Sequence, residues 1–414
     1  MPFSKKQLAS AATIFLSGIV IAAPQISTNQ RDVAAADVPF LRGVNLGGWL
    51  ILEKWMNPDV FSGEFSKYVD EYTLSGDPNA AATLKNHWDT YFTEADIQTI
   101  AATGINALRI PIGFWAYDNA GLPYKQGADL YLENAIGWAR KYNMKVWVDL
   151  HGLPGSQNGF DNSGQSGAHD WQKGNNLERS ITVLKTMAGK YGASEYADVV
   201  VGLELVNEPL PDQGNDFGVT QEWAKNATTA VRASATNTQL TIITHDSFRG
   251  PASWASIGQE LNKNGENTFC VDTHLYQVFT DSDNALNQAG HIKKACEWSS
   301  YIGPTNAQVP VYVGEWSAAS NVCIDDNNTD TAGTTCNTRG CQCESSDMET
   351  WSPELVQDAR KYVEAQLDTF EANSHGYFIW SAKGPGPWSF MDAIKKGVFP
   401  NPVTSRQFPN QCGS

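Results

Sequence analysis

The chain has 414 residues, 29 Lys+Arg against 45 Asp+Glu, and a formal net charge of −16. At 41% hydrophobic and 18% charged it can bury a large core, which excludes disorder of the whole chain. The acidic balance leaves no basic face for phosphate, so neither nucleic acid nor an anionic membrane surface is an expected partner.

From the N-terminus, Lys5 and Lys6 precede an apolar run that closes on the small residues Ala22 and Ala23. A positive start, a short apolar stretch and a small-residue end are the pattern of a secretory signal peptide. The run is interrupted by Ser10, Thr13 and Ser17, which disfavours a membrane span. Residues 1–23 are therefore read as a signal peptide, 24–39 as a flexible leader and 40–414 as one domain. A secreted, extracellular or cell-wall protein is expected, with no membrane attachment after signal removal.

Eight short apolar runs follow in order: 40–45, 107–112, 146–150, 199–206, 240–244, 268–273, 309–314 and 376–381. They are rich in Val, Ile and Leu without simple alternation, as suits strands buried on both faces. Helical patterns separate them at 94–102, 129–142, 177–191, 220–235, 285–298 and 353–372. Thr93 is a predicted N-cap for the first, and Gly104 its stop. The helical signal is weakest between the fifth and sixth runs. Strands alternating with helices predict an α/β chain, a (β/α)8 TIM barrel in a single domain with loop insertions.

A secreted chain makes its 7 Cys candidates for disulfides. The count is odd, and Cys270, inside an apolar run, is the expected free thiol. The segment 321–346, rich in Asn, Asp, Thr, Gly and Cys, reads as a stapled insertion after the seventh strand. The pairing among Cys323, Cys336, Cys341 and Cys343 stays open. Disulfides are favoured there over a metal site, because no His lies nearby. Asn226 and Asn327 begin N-glycosylation sequons.

A barrel places its chemistry at the C-terminal ends of its strands. Polar residues fall there repeatedly: Glu53, Arg109, His151, Asn207 with Glu208, His245 with Asp246, His274 with Tyr276, Glu315, and then Trp380. Glu208 and Glu315, ending the fourth and seventh strands, would face each other across one mouth. Paired carboxylates of this kind serve glycoside hydrolysis, one as acid/base and one as nucleophile or water activator. Glu204, inside the fourth run, reads as a satisfied core carboxylate. Hydride, phosphoryl and serine-hydrolase chemistry lack their motifs. No cofactor and no catalytic metal are expected.

At Asn207-Glu208-Pro209 the chain resembles glycoside hydrolase family 5, and more narrowly the fungal exo-β-1,3-glucanases of that family. The ordered segments 42–49, 108–112, 149–152, 154–162, 274–279, 313–316 and 399–412 carry the resemblance. It implies that Glu208 is the acid/base, kept protonated by a raised pKa, and Glu315 the nucleophile. It implies that Asn207 holds the sugar 2-OH, and that Arg109 and Tyr276 position the nucleophile. His151, His274 and Glu53 would line the first sugar subsite, with Trp380 as its floor. Phe160 and Phe279 match an aromatic pair gripping glucan at the entrance. A Cys296–Cys412 bridge, with Cys323 paired inside the insertion, is also implied. The expected function is a secreted retaining exo-β-1,3-glucanase that binds β-glucan and acts as a monomer. A β-1,6- or β-1,4-glucanase, a transglucosylase, and a silent glucan-binding wall protein are the alternatives. The chain departs from the pattern at Ala382, where similar enzymes often carry Trp, and in its longer insertion.

Overall fold

The computed structural model describes residues 40–211, 214–263 and 269–413. The predicted signal peptide, the leader and Thr268 lie outside them. Eight parallel strands close a barrel. They are β1 Leu41–Asn45, β2 Ala107–Gly113, β3 Lys145–Gly152, β4 Val200–Glu204, β5 Thr241–His245, β6 Phe269–His274, β7 Val311–Trp316 and β8 Gly376–Ile379. β8 pairs with both β7 and β1, which completes the ring.

A helix follows every strand. Glu94–Ala102, Ala128–Lys141, Asn176–Tyr191, Phe217–Ser234, Gln288–Asn306 and Pro353–Asn373 match the predicted patterns, with ends shifted by a few residues. Thr93 does begin the first of these, its N–H donating to Asp96 Oδ2 at 2.9 Å. Gly104 then turns the chain at φ 87°. The weak segment after β5 forms a single turn at Pro251–Trp254 and the short helix Ala255–Leu261. The predicted fourth strand was longer than the observed one, because residues 205–206 continue the apolar run into the loop that carries Asn207 and Glu208.

All eight strands contribute one residue to a buried layer at the bottom of the barrel: Leu41, Ala107, Trp147, Val201, Ile243, Cys270, Tyr312 and Phe378. Small residues make room for its rings. A Cβ on Gly202 would sit 2.2 Å from the Trp147 ring, and one on Gly43 only 2.1 Å from that of Phe378. This floor seals the lower end, so polar side chains can gather only above it.

The insertion is a small antiparallel sheet of Val322–Ile324, Asp330–Ala332 and Gln342–Cys343. Cys323–Cys343 and Cys336–Cys341 staple it, while Cys296–Cys412 ties the C-terminal segment to the helix after β6. Cys270 is free and buried. Asn226 and Asn327 are both exposed. No helix among the described residues is long and apolar enough to cross a membrane.

Candidate active site

Alternate residues of a strand point the same way. Along β3, Trp147 belongs to the floor, Asp149 lies above it and His151 above that. Along β6 the same steps are Cys270, Asp272 and His274. The barrel thus holds a polar layer over an apolar one.

Arg109 of β2 organises that layer. It is 0% exposed. Its Nε donates to Glu204 at 2.7 Å. Nη1 donates to Asn45 Oδ1 at 3.0 Å and to Glu315 at 2.9 Å. Nη2 donates to Asn207 Oδ1 at 2.9 Å and lies 3.1 Å from Asp149. A planar guanidinium fits this because its donors leave in fixed, divergent directions. Asn207 is fixed from both sides, since its Nδ2 donates to His151 Nε2 at 3.3 Å. His151 in turn donates through Nδ1 to Asp149 at 2.6 Å.

The two candidate catalytic carboxylates meet at His274. Its Nδ1 is 2.8 Å from Glu208 and 3.4 Å from Glu315. Its Nε2 donates to Asp272 at 3.1 Å. Burial opposes a charge on this ring, but Glu315 and Asp272 outweigh burial and raise its pKa well above the usual value. The second oxygen of Glu315 accepts from the Tyr276 hydroxyl at 2.8 Å. Glu208 also accepts from Asn162 Nδ2 at 3.0 Å and holds a left-handed φ of 46°, a sparsely populated conformation for a side chain of its size.

The expectation that Glu208 is held protonated is corrected here. Burial pushes its carboxyl up, but the hydrogen bond and charge of His274 pull it below the ordinary range. For Glu315 the balance is reversed. Burial raises its pKa, and His274 and Arg109 offset this only in part. Three close groups share protons here, so their titrations belong to the set.

Around them lies a cleft of about 1160 Å³. Glu53 is 4% exposed, with Oε2 accepting from Trp55 Nε1 at 2.8 Å, and Oε1 has no partner. Burial, and then Asp161, raise its pKa well above the usual value. Trp380 is buried and stacks on His151 with ring centroids 5.6 Å apart. Phe160 and Phe279 line the mouth at 43% and 71% exposure.

Every predicted site residue therefore lines this cleft or bonds to a residue that does. The sequence reading left Asp149, Asp272 and Asn162 without roles. The first two sit two residues before a named histidine, a signal that strand alternation could have supplied. Asn162 comes from the single turn Asp161–Ser163 after β3 and carries no such signal. Glu204 is buried as predicted but only half satisfied: Oε2 accepts from Arg109 Nε, while Oε1 has no partner. Ala382 is fully buried, its N–H donating to Asn45 O at 2.9 Å.

Two groups in the polar layer, Glu208/His245/His274 and Glu204/Asp272/His274, have donors close enough to hold a cation. His274 is already bonded to carboxylates through both nitrogens, and Glu204 to Arg109. The four-cysteine group of the insertion is closed as disulfides.

A family model described as Cellulase (glycosyl hydrolase family 5) matches residues 72–385. "Probable glucan 1,3-beta-glucosidase A" of Emericella nidulans is 39% identical over 393 residues, covering 90% of this chain and 93% of that protein. "Glucan 1,3-beta-glucosidase" of Yarrowia lipolytica is 39% identical over 393 residues, covering 90% and 91%. Among solved structures, rutinosidase from Aspergillus niger superposes with a TM-score of 0.68 at 22% identity, covering 87% of this chain and 98% of that one. This last likeness concerns the fold alone.

Proposed function

The chain belongs to glycosyl hydrolase family 5, and from that premise we propose a secreted, retaining exo-β-1,3-glucanase that releases glucose from the non-reducing end of β-1,3-glucan. One observation carries the stereochemistry. Oxygens of Glu208 and Glu315 lie 2.8 and 3.4 Å from the same nitrogen. Two oxygens at those distances from one neighbour lie no more than about 6.2 Å apart, which favours the closely set carboxyls of a retaining pair over the wider gap that an inverting pair keeps for its water.

In the mechanism, Glu315 attacks the anomeric carbon and the glycosidic oxygen leaves with a proton from Glu208. Arg109 and Tyr276 aim Glu315 and stabilise its charge. The proton for Glu208 comes along its 2.8 Å bond to His274, where the free site keeps it. Once Glu315 becomes an ester, its negative charge no longer favours a cationic His274. Glu208, now ionised, deprotonates water, and the water releases glucose from Glu315. Asn207 bonds the sugar 2-OH, and Glu53, His151 and Trp380 complete the first subsite. The exposed Phe160 and Phe279 hold the next glucosyl unit by its apolar face.

Residues 1–23 direct secretion, and residues 40–414 form the catalytic domain, which acts as a monomer on extracellular or cell-wall glucan. Three paired disulfides and exposed sequons support that location. The test is a product time course on laminarin, laminaritriose and pustulan, read by proton NMR. β-Glucose should appear first, from the 1,3-linked substrates. α-Glucose first, or a fast viscosity drop with little glucose, overturns the reading.

A further inference from the structure

A second cavity, of about 580 Å³, lies where the insertion meets the turn that carries Trp388. That volume falls within the roughly 300–1,000 Å³ of small-molecule sites. Trp388 lines both this cavity and the catalytic cleft. Its ring packs against Tyr276 and Phe279, with centroids 5.4 and 6.1 Å away. Val278, between those two aromatics in sequence, faces the second cavity. The two spaces are thus neighbours across one aromatic wall at the entrance.

Glu344 also lines this cavity and is only 1% exposed. Its Oε2 accepts from the Ser320 N–H at 2.9 Å and the Ser320 hydroxyl at 2.7 Å, while Oε1 has no partner. Burial pushes this carboxyl up to about 8, so at acid pH it carries a proton and can donate. Glu344 directly follows Cys343, whose bridge to Cys323 fixes the strand pair beneath it. Half-buried Asn321 lies at the same wall, its Nδ2 donating to Asn284 Oδ1, which leaves its own Oδ1 as the group to meet a hydroxyl. Of the other acids there, Glu349 is exposed to solvent and two have local partners. Asp392 accepts from Ser389 and pairs with Lys395 at 3.0 Å, and Asp347 accepts from the Glu349 N–H. An aromatic face beside buried hydrogen-bonding groups suits a neutral sugar better than a cation.

We propose that this cavity is a distal subsite for the leaving portion of a β-glucan chain, with Trp388 as its apolar face and Glu344 and Asn321 as hydroxyl partners. The proposal rests on the glucanase reading above. It gives the stapled insertion a role in choosing long substrates over short ones.

The test compares Glu344→Gln, Asn321→Ala and Ser345→Trp with the unaltered protein on laminaribiose and laminarihexaose. Ser345 is an exposed residue of the cavity wall, so its replacement fills the space even if Glu344→Gln fails to fold. Each variant should lose about tenfold in kcat/KM on laminarihexaose, ~1.4 kcal/mol, through KM, with laminaribiose unchanged. Equal losses on both substrates, or none on the longer one, overturn the proposal. So does Ca²⁺ binding that Glu344→Gln abolishes while the preference for the longer substrate stays unchanged. Failure of the unaltered protein to release glucose from either substrate would instead overturn the glucanase reading.

Discussion

Replacing Arg109 with Met would remove the one guanidinium that Asp149, Glu204 and Glu315 share. All three carboxylates lie within 3.1 Å of it, and Arg109 itself is fully buried. Breaking a buried pair by deleting one partner costs ~3–5 kcal/mol, and here three partners are left at once. The loss should sit at the upper end of that range, a large part of the ~5–15 kcal/mol of a typical domain. The sign with pH follows. Without the cation, the folded-state pKa values of Glu204 and Glu315, already raised by burial, rise further above their unfolded ones. The penalty is then present above the unfolded pKa and relieved as pH falls. Urea unfolding at about pH 7 and about pH 4 should show a larger deficit at the higher pH. Arg109→Lys keeps a charge but not the fork, so its penalty should be smaller and depend less on pH. In both variants the acid limb of kcat/KM should move upward, because Glu315 must ionise with less help. A deficit under ~1 kcal/mol, or an unmoved acid limb, would refute the role given to this residue.

Glu208→Gln should cut turnover of laminarin by roughly 10²–10⁴-fold, the usual share of general acid–base catalysis. On a dinitrophenyl β-glucoside, whose leaving group needs no proton, the first step should survive, and a burst of phenolate measures it. Burial pushes Glu71 up to about 8, although Leu52 N–H and the Trp115 indole donate to it. The folded state therefore holds a proton that the unfolded state releases between about pH 4 and pH 8, so stability falls as pH rises through that window. Glu71→Gln should flatten this slope in a series of thermal melts across it. The Cys296–Cys412 bridge closes a loop with a separation of 116 residues. Replacing both cysteines with serine should cost roughly 2–5 kcal/mol, measured by urea unfolding without reductant.

Much of the barrel was legible because its strands are buried on both faces and its helices keep one apolar side. Glu208, Glu315 and their neighbours were legible because chain order and strand ends coincide in this architecture. The sequence hid the rest for separate reasons. Asp149 and Asp272 stand within apolar runs, where a carboxylate looks like a core exception until alternation turns it toward His151 and His274. The protonation of Glu208 was hidden for another reason. Burial alone argues for a raised pKa, and the 2.8 Å contact with His274, helped by His151 and Asn162, reverses the balance. Trp388 likewise gained a meaning only when two cavities proved to share it.

The central claim is that Glu315 forms a covalent bond with the sugar. Incubation with a 2-deoxy-2-fluoroglucosyl fluoride, followed by proteolysis and mass spectrometry, tests it directly. One labelled peptide should appear, with the fluoroglucosyl group on Glu315 and activity lost in step with labelling. A label on Glu208, or inactivation without any covalent adduct, would contradict the account.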